Sequence, residues 1–474
     1  MNEDLDGLKI LLISASEPYV HYYRAGEVAW KTTAGGLATA FDSLLRTYNG
    51  TWVCLSFGNA DKETSDSNGK IKVPPDEDLY TLKRVFISKK EEEGALNSSA
   101  NGALWPLSHV AYVRPRFEQD AWEQYRTVNK KMADATIPEI NEKSIIWVND
   151  YQLTLCSKYI KEGKPKCKIG FFWHIPWPGI EVFKICPWKE EIINALLYND
   201  LIGFHTSEDV NNFLTCVEKI VDCKVNYKTH TIEHAYGKSV VKSLGIGVDY
   251  KRISSISKTL TEKDLELLKK HYELDHYKIV IGVERLDYSK GIPEKLKALD
   301  LLLTRKPELI GKLTLLQIAA PSRVNLPEYK QIASTVLELV ESLNYKYSIG
   351  NWKPVILINE TIPLEKIIPL YKLADACIVT SLHDGMNLVS KEFVASNEGN
   401  GMLILSKFAG SSQELKEAIL VNPYLAEEIS QAIETALTMP VEEKMERMKK
   451  MKKTVSKNDV YNWAKTFASE LSKT

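Results

Sequence analysis

The sequence lacks the features that mark several classes of protein. Its seven cysteines are scattered and include no Cys-x-x-Cys pair, which argues against a disulfide framework and a zinc ribbon. No run of about 18 apolar residues occurs, and no basic segment precedes the first apolar run, so we expect neither a membrane span nor a secretory leader. The pattern Gly-x-x-x-x-Gly-Lys-Ser/Thr is absent, which excludes a P-loop NTPase.

The sequence also carries almost no net charge. Its 61 lysines and arginines nearly balance 62 aspartates and glutamates, so no overall positive field would attract nucleic acid or an anionic membrane. With 44% apolar residues among 474, the composition is that of a folded, soluble chain of two or three domains. We therefore expect a cytoplasmic protein without nucleic-acid or membrane partners, in which any anion-binding site is local.

What the sequence does contain is a regular alternation of short apolar runs and longer amphipathic stretches, typical of βα units around a mostly parallel sheet. The pattern predicts two doubly wound α/β domains, residues 1–248 and 249–455, and a final helix at 456–474. Helices are also predicted at 118–135 and 327–343, and loops at 59–78 and 88–103, the latter a surface loop or lid. The predicted strands are 8–13, 51–56, 145–148, 169–173, 201–204, 279–283, 313–319, 355–358, 376–380 and 403–405.

Polar residues follow two predicted strands of the second half, at the positions where open α/β sheets bind ligands. Arg285 and Lys290 follow strand 279–283 and have the charge to clamp a diphosphate, although two solvated surface cations would give the same pattern. After strand 376–380, Asp384 and Gly385 precede a predicted helix whose first amides favour a phosphate. Glu392 lies two helical turns beyond Asp384 and suits ribose hydroxyls. A helix cap and an exposed acid are the plainer explanations for these two acids.

The first half offers weaker signals. His174 ends a predicted strand and precedes a turn stiffened by Pro176 and Pro178, which makes it a candidate for holding a sugar or a leaving group. A histidine at a strand end is more often structural. Asp150 also follows a strand and is a candidate acceptor for a sugar hydroxyl. Gly36 opens the first predicted helix and would let a phosphate or sugar approach the backbone.

Two patterns imitate metal sites. Residues 230–234 spell His-x-x-Glu-His, but their β-branched and turn-like flanks predict a hairpin instead of the helix that zinc chemistry needs. The Asp-x-Asp patterns at 4–6 and 76–78 have no strand before them and are typical of a solvated surface. We expect no metal and no cofactor.

Beyond these signals, the sequence resembles the trehalose-6-phosphate synthase family of retaining glycosyltransferases, family 20, over nearly its whole length. The resemblance implies the GT-B fold, in which two Rossmann-like domains face a cleft and the final helix crosses back to the first domain. The motifs that carry it are LWPLSH at 104–109, WVNDYQL at 147–153, FWHIPWPGIEVF at 172–183, DLIGFHT at 200–206, VERLDYSKGIPEK at 283–295, PSR at 321–323 and HDGMNLVSKEFVA at 383–395.

The resemblance also implies roles for individual residues. The residues implied in catalysis are Arg285, Lys290, His174 and Asp150. Donor-binding positions are Gly36, Asp384, Gly385, Met386, Asn387, Leu388, Val389 and Glu392. Acceptor-binding positions are Trp105, Asp150 and Arg323. Within these sets, Glu392 is assigned to the ribose, and Asp384 and His174 to the transferred glucose.

Two acceptor-phosphate ligands expected from the resemblance are missing. The family's arginine after the first strand is Ser16 here, and an expected tyrosine is Leu96. Arg323 remains, and Arg24 or Lys31 are candidates to substitute. Several acceptors therefore stay open: glucose 6-phosphate, glycerol 3-phosphate, an unphosphorylated polyol or sugar, or a pseudo-sugar phosphate. A catalytically silent subunit that binds sugar phosphates is a further alternative.

The leading hypothesis is a retaining glucosyltransferase. It would move glucose from a nucleotide diphosphate sugar to glucose 6-phosphate and so make α,α-trehalose 6-phosphate. UDP-glucose is the default donor, with ADP- and GDP-glucose open. Because cations would stabilise the leaving diphosphate, no essential metal is expected. Dimers and tetramers are common among such relatives, but the sequence shows no evident interface for a homo-oligomer.

Overall fold

The computed structural model describes residues 9–33, 36–48, 50–274 and 277–474. The chain divides into two compact units. The first unit runs to Ile246 and also includes Tyr461–Thr474, and the second unit is Gly247–Val460. The change between them falls within the stretch GIGVDYKR. Each unit is built around its own sheet.

The first unit contains a ten-stranded sheet in the order β10-β11-β12-β9-β8-β7-β1-β4-β6-β5 and a separate hairpin of β2 and β3. The strands from β12 to β6 in that order are parallel, and β10, β11 and β5 extend the sheet with antiparallel pairs. Strand bounds are β1 Lys9–Ser14, β2 Tyr19–Arg24, β3 Glu27–Thr32, β4 Thr51–Leu55, β5 Lys70–Val73, β6 Tyr80–Val85, β7 Ser144–Asn149, β8 Lys168–Phe172, β9 Leu201–Phe204, β10 Lys224–Asn226, β11 Thr231–His234 and β12 Gly237–Ser243.

The helices of the first unit connect these strands. Their bounds are α1 Gly36–Tyr48, α2 Lys89–Glu91, α3 Trp105–His109, α4 Gln119–Thr136, α5 Cys156–Gly163, α6 Ile180–Phe183, α7 Lys189–Leu196 and α8 Ser207–Ile220. Short 3-10 helices lie at Ile137–Glu139 and Tyr151–Leu153. The predicted helix at 118–135 is thus confirmed as α4 within one residue.

The loop or lid predicted at 88–103 is wrong. This segment is helical: Ser88 caps α2, and a π-helix, Glu92–Leu104, follows it directly. Most of its small residues are buried, and a methyl group on Gly94 would lie 2.7 Å from the side chain of Gln124 on α4. Small residues are needed here because the π-helix and α4 pack closely. The prediction was wrong because a segment rich in glycine, alanine and serine is, from its sequence alone, typical of a loop.

The sequence also gave no sign of the β2–β3 hairpin, and the loop predicted at 59–78 contains strand β5. The hairpin predicted around residues 230–234 is confirmed, since β11 pairs antiparallel with both β10 and β12. No group of three metal-ligating side chains lies together in the described part of the chain.

The second unit has a six-stranded parallel sheet in the order β15-β14-β13-β16-β17-β18. Its strands are β13 Lys278–Arg285, β14 Leu313–Ala320, β15 Val355–Ile358, β16 Ala376–Val379, β17 Met402–Ser406 and β18 Ile419–Val421. Its helices are α9 Tyr250–Thr259, α10 Glu262–His271, α11 Ile292–Arg305, α12 Pro327–Tyr347, α13 Leu364–Leu373, α14 Leu388–Ser396, α15 Ala426–Thr438 and α16 Val441–Lys457. The doubly wound α/β prediction is confirmed, and each predicted strand of this half lies within about two residues of an observed one.

The final helix, α17 Val460–Lys473, begins four residues later than predicted and packs on the first unit. The ring of Phe467 stacks on Trp147 with centroids 4.2 Å apart. It also covers Gly170 and Gly203 on neighbouring strands, where an added Cβ would lie 2.8 Å and 3.0 Å from the ring. Glycine at these two positions lets the helix approach the sheet. Among the described residues, no helix is long and apolar enough to cross a membrane.

Candidate active site

In the second unit, the sequence-predicted donor residues lie together at one edge of the sheet. Strands β14, β13 and β16 are neighbours and parallel, so the loops that follow them emerge side by side. Arg285 is the exposed last residue of β13. Arg323 lies in the loop after β14, and Asp384 lies in the loop after β16. Charged side chains from three separate segments therefore meet at the carboxyl edge.

Lys290 and Asp384 form the ion pair that joins two of these loops. The Lys290 Nζ lies 2.7 Å from Oδ2 of Asp384, and the side chains are 12% and 13% exposed. The same carboxylate oxygen accepts hydrogen bonds from the Ser381 hydroxyl at 3.0 Å and the Asn387 amide at 3.1 Å. Both charges are thus oriented before any ligand is bound, which lowers the cost of arranging them around one.

Backbone contacts hold the same two loops in register. Gly291 has φ of 64°, and a Cβ there would lie 2.0 Å from the carbonyl oxygen of Thr380. The hydroxyl of Thr380 donates to the Gly291 carbonyl at 2.8 Å, and the N–H of Leu382 donates to the Ser289 carbonyl at 2.7 Å. Only glycine fits at residue 291, both because of its left-handed backbone and because the neighbouring chain leaves no space.

Helix α14 begins where the predicted phosphate contacts lie. Asn387, with φ of 74°, caps it by accepting the Ser390 N–H at 3.0 Å. Leu388 and Val389 form its first turn, where N–H groups have no intrahelical acceptor and the helix dipole favours an anion. The preceding backbone is fixed because Gly385 lies against Gly410 and the buried Met386 accepts from the Ser411 N–H at 2.8 Å. This arrangement suits a phosphate.

Glu392 lies on the same helix, and its side chain is half-buried. Burial raises the pKa of its carboxyl to about 7, and a hydrogen bond from the Tyr371 hydroxyl at 3.4 Å opposes that rise. A half-buried carboxyl near neutrality accepts strongly from a diol only when it is ionised. Glu392 is therefore placed to respond to pH in its proposed contact with ribose.

In the first unit, Asp150 and His174 follow the neighbouring strands β7 and β8 and are directly linked. Oδ1 of Asp150 accepts the backbone N–H of His174 at 3.0 Å and that of Tyr151 at 3.0 Å. The Asp150 backbone is left-handed, with φ of 71°, and its N–H donates to the Phe172 carbonyl at 2.8 Å. A non-glycine residue in this conformation is strained, and such strain is concentrated at functional sites.

The His174 imidazole is neutral. Burial, with a contribution from nearby His205, holds its pKa well below the usual range. Nε2 lies 3.2 Å from Oδ1 of Asn149, whose amide nitrogen donates to the Ile13 carbonyl at 3.3 Å. Nε2 therefore carries the proton in this arrangement, and Nδ1 is left as an acceptor. A neutral imidazole of this kind can hold a sugar hydroxyl without adding charge.

The other positions of the first unit that were predicted to bind substrates differ in burial and in the groups they present. Trp105 is buried and stacks on His109 with centroids 3.9 Å apart. Ser16 is exposed, whereas Leu96 is half-buried in the π-helix, so neither position supplies a cation. Gly36 begins α1, and residues 34 and 35 of the predicted AGG segment lie outside the described residues.

Sequence reasoning missed Asp287 and Tyr329. Asp287 is completely buried, with its carboxylate close to Arg323 and to the turn that carries Lys290. Burial acts to raise its pKa, but the cations Arg323, Arg285 and Lys290 hold the pKa below the usual range. The available signal was an acid between two cations in a single motif. The hydroxyl of Tyr329 accepts a hydrogen bond from Arg323. The sequence carried no comparable signal for it, because this contact depends on where α12 places the hydroxyl.

Two doubly wound units, one of them with cations and a helix N-terminus at the carboxyl edge of its sheet, agree with the GT-B glycosyltransferase class that the motifs indicated. The chain belongs to glycosyltransferase family 20, whose family model matches residues 10–473. It is 34% identical to a Candida albicans alpha,alpha-trehalose-phosphate synthase (UDP-forming), with 98% of this chain and 97% of the relative covered. The membership predicted from the motifs is therefore confirmed.

Solved structures extend the likeness to the fold. An E. coli trehalose-6-phosphate structure bound with UDP-2-fluoro glucose has a TM-score of 0.88 at 29% identity, covering 98% of this chain and 99% of that chain. A Burkholderia xenovorans alpha,alpha-trehalose-phosphate synthase (UDP-forming) in complex with glucose-6-phosphate has a TM-score of 0.87 at 27% identity, with the same coverage.

Proposed function

We propose that the protein transfers glucose from UDP-glucose to glucose 6-phosphate with retention, giving α,α-trehalose 6-phosphate. The observation that carries the donor half is the preformed Lys290–Asp384 pair beside Arg285 and the N-terminus of α14. The names of the relatives and the ligands of the solved structures support the choice of donor and acceptor.

In the proposed reaction, the protein acts by electrostatics. Arg285, Lys290 and the first amides of α14 stabilise the negative charge that grows on the leaving diphosphate. The bond between the glucose C1 and the diphosphate oxygen breaks, while the acceptor hydroxyl forms the new bond on the same face. Its proton passes to the leaving phosphate oxygen, so no covalent carboxylate is needed. Asp384 and neutral His174 orient the transferred glucose. Because side-chain cations take the charge, the proposal includes no essential metal.

The acceptor half departs from the family pattern at two positions, and this observation favours a second candidate. Ser16 replaces the expected arginine and Leu96 replaces the expected tyrosine, so one positive charge and one phenol hydroxyl expected at the acceptor phosphate are missing. The same donor chemistry with another acceptor is therefore the alternative, namely glycerol 3-phosphate, an unphosphorylated polyol or sugar, or a pseudo-sugar phosphate. The complete donor set argues against a catalytically silent subunit.

The deciding experiment is mass spectrometry of the purified protein incubated with UDP-, ADP- or GDP-glucose and each candidate acceptor. A disaccharide phosphate formed from UDP-glucose and glucose 6-phosphate supports the proposal. Lys290→Ala should abolish that product, whereas Lys297→Ala, which removes an exposed cation of α11, should leave it. A product with a different acceptor would overturn the proposed acceptor, and nucleotide binding without any product would revive the silent subunit.

The setting of the reaction is also a proposal. All seven cysteines are free thiols, which fits a reducing compartment, and we propose that the protein works in the cytoplasm. Its substrates there would be small molecules, a nucleotide sugar and a sugar phosphate. Size-exclusion chromatography with light scattering would establish whether it forms a homo-oligomer.

A further inference from the structure

One buried carboxylate in the second unit serves two loops at once. Oδ1 of Asp287 accepts the backbone N–H and the hydroxyl of Ser289, each at 2.9 Å. Oδ2 accepts the hydroxyl of Tyr329 at 3.2 Å and lies 3.5 Å from Nη1 of Arg323. One oxygen therefore holds the turn that carries Lys290, and the other holds the arginine after β14.

Tyr329 completes the link between Asp287 and Arg323. Its hydroxyl accepts a hydrogen bond from Nη1 of Arg323 and donates its proton to Asp287, and its side chain is buried on α12. The guanidinium carbon also lies over the Tyr329 ring, 5.2 Å from its centroid. Arg323 is thus held by a hydrogen bond, a cation–π contact and an ionic contact.

The backbone of Arg323 needs such support. Its φ is 46°, in the left-handed region that a side chain makes unfavourable. Strained residues of this kind persist only where the surroundings over-determine them. The arginine is 13% exposed, so its guanidinium is largely fixed by protein groups before any ligand arrives.

We propose that Asp287 and Tyr329 are positioning residues that set the Arg323 guanidinium relative to the Lys290 turn and thereby determine selectivity for a phosphorylated acceptor. The inference rests on the proposed function together with the family resemblance, which assigns Arg323 to the acceptor side. Both side chains are almost fully buried, so their proposed role is to position other groups and not to contact the substrate. The Tyr329 hydroxyl bonds directly to the acceptor cation, whereas Asp287 bonds to both this cation and the donor turn. The Tyr329 ring, which packs on Tyr288 of the donor turn, is kept when only the hydroxyl is removed.

The test is Tyr329→Phe, with Tyr345→Phe as the matched control, because Tyr345 lies on the same helix and is 95% exposed. Steady-state kinetics would be measured with UDP-glucose and either glucose 6-phosphate or glucose. Loss of one hydrogen bond in a charged network should raise KM for glucose 6-phosphate about tenfold. KM for UDP-glucose and kcat should stay within about twofold, and the preference for glucose 6-phosphate over glucose should fall about tenfold.

A second variant and a binding measurement separate this inference from the proposed function. Asp287→Asn should raise KM for both substrates, since Asp287 supports both segments. Equal changes in both KM values for Tyr329→Phe, or no change in either, would overturn the inference. If the wild type binds glucose 6-phosphate in calorimetry without turning it over, the proposed function fails, and the dissociation constant of Tyr329→Phe still tests the positioning role. Absence of any glucose 6-phosphate binding by the wild type would overturn both.

Discussion

Glu392 gives the prediction that can be worked furthest from the structure. Its pKa of about 7 means that roughly one tenth of the carboxyls are ionised at pH 6 and roughly nine tenths at pH 8. If the ionised form is the one that accepts the ribose hydroxyls, the dissociation constant for UDP should be about tenfold higher at pH 6 than at pH 8. Titration calorimetry with UDP across this range measures the dependence directly.

The control for this prediction is Glu392→Gln, which keeps the shape of the side chain and removes its titration. The diphosphate of UDP also takes up a proton in this range, but that contribution occurs in both proteins and cancels in the comparison. The wild type should therefore lose affinity on acidification more steeply than the variant. Equal slopes for the two proteins would refute the reasoning about Glu392.

The same pKa has a consequence for stability. Since the folded pKa lies above the ordinary value of 4.5, the folded state favours the protonated acid, and stability falls as pH rises from about 4.5 to about 7. The full difference corresponds to at most about 3 kcal/mol above pH 7. Thermal unfolding should accordingly show Glu392→Gln gaining stability over the wild type at pH 8 and losing this advantage near pH 4.5.

Three further outcomes are expected. Arg285→Ala should lower kcat by about 10²–10³, as expected for the loss of one donor to a developing anion; initial rates would test this, and full activity would contradict the role. Phe467→Ala should lower the free energy of unfolding by about 3–5 kcal/mol, because a buried ring is lost from the face of Trp147. Calorimetry should then show a fall in Tm of roughly 6–20 °C, whereas exposed Thr466→Ala should change little. Treatment with a chelator should leave the rate of glucosyl transfer unchanged, and a rate restored only by added metal would refute the metal-free proposal.

The sequence predicted the parallel strands well because each is a short, almost wholly apolar run. Strands at 201–204 and 355–358 agree with β9 and β15 at both ends. The sequence-based prediction was wrong where a composition typical of loops is instead required by close helix packing. The segment 88–103 is rich in alanine, glycine and serine, which is typical of a loop, yet these small residues allow a π-helix to lie against α4.

In the candidate site, too, some contacts could be predicted from the sequence and others could not. Lys290 and Asp384 are 94 positions apart, and the rule that parallel strands present their carboxyl ends together was enough to predict their proximity. No such rule indicated that Tyr329 would hold Arg323, since that contact depends on the direction of one side chain on α12. Roles in binding and catalysis, including those of Trp105 and Gly36, stay predictions.

The position of α17 at the end of the sequence has a consequence for how the protein folds during synthesis. Trp463 and Phe467 cover the rings of Trp147 and Phe172, but the ribosome makes them only after the whole second unit. At about 5–20 residues per second, the roughly 210 residues of that unit take about 10–40 s to translate. During this interval, the nascent first unit carries an aromatic surface with no cover, which is a natural binding site for chaperones. A stop codon just before residue 460 should therefore harm the half of the protein that was translated first.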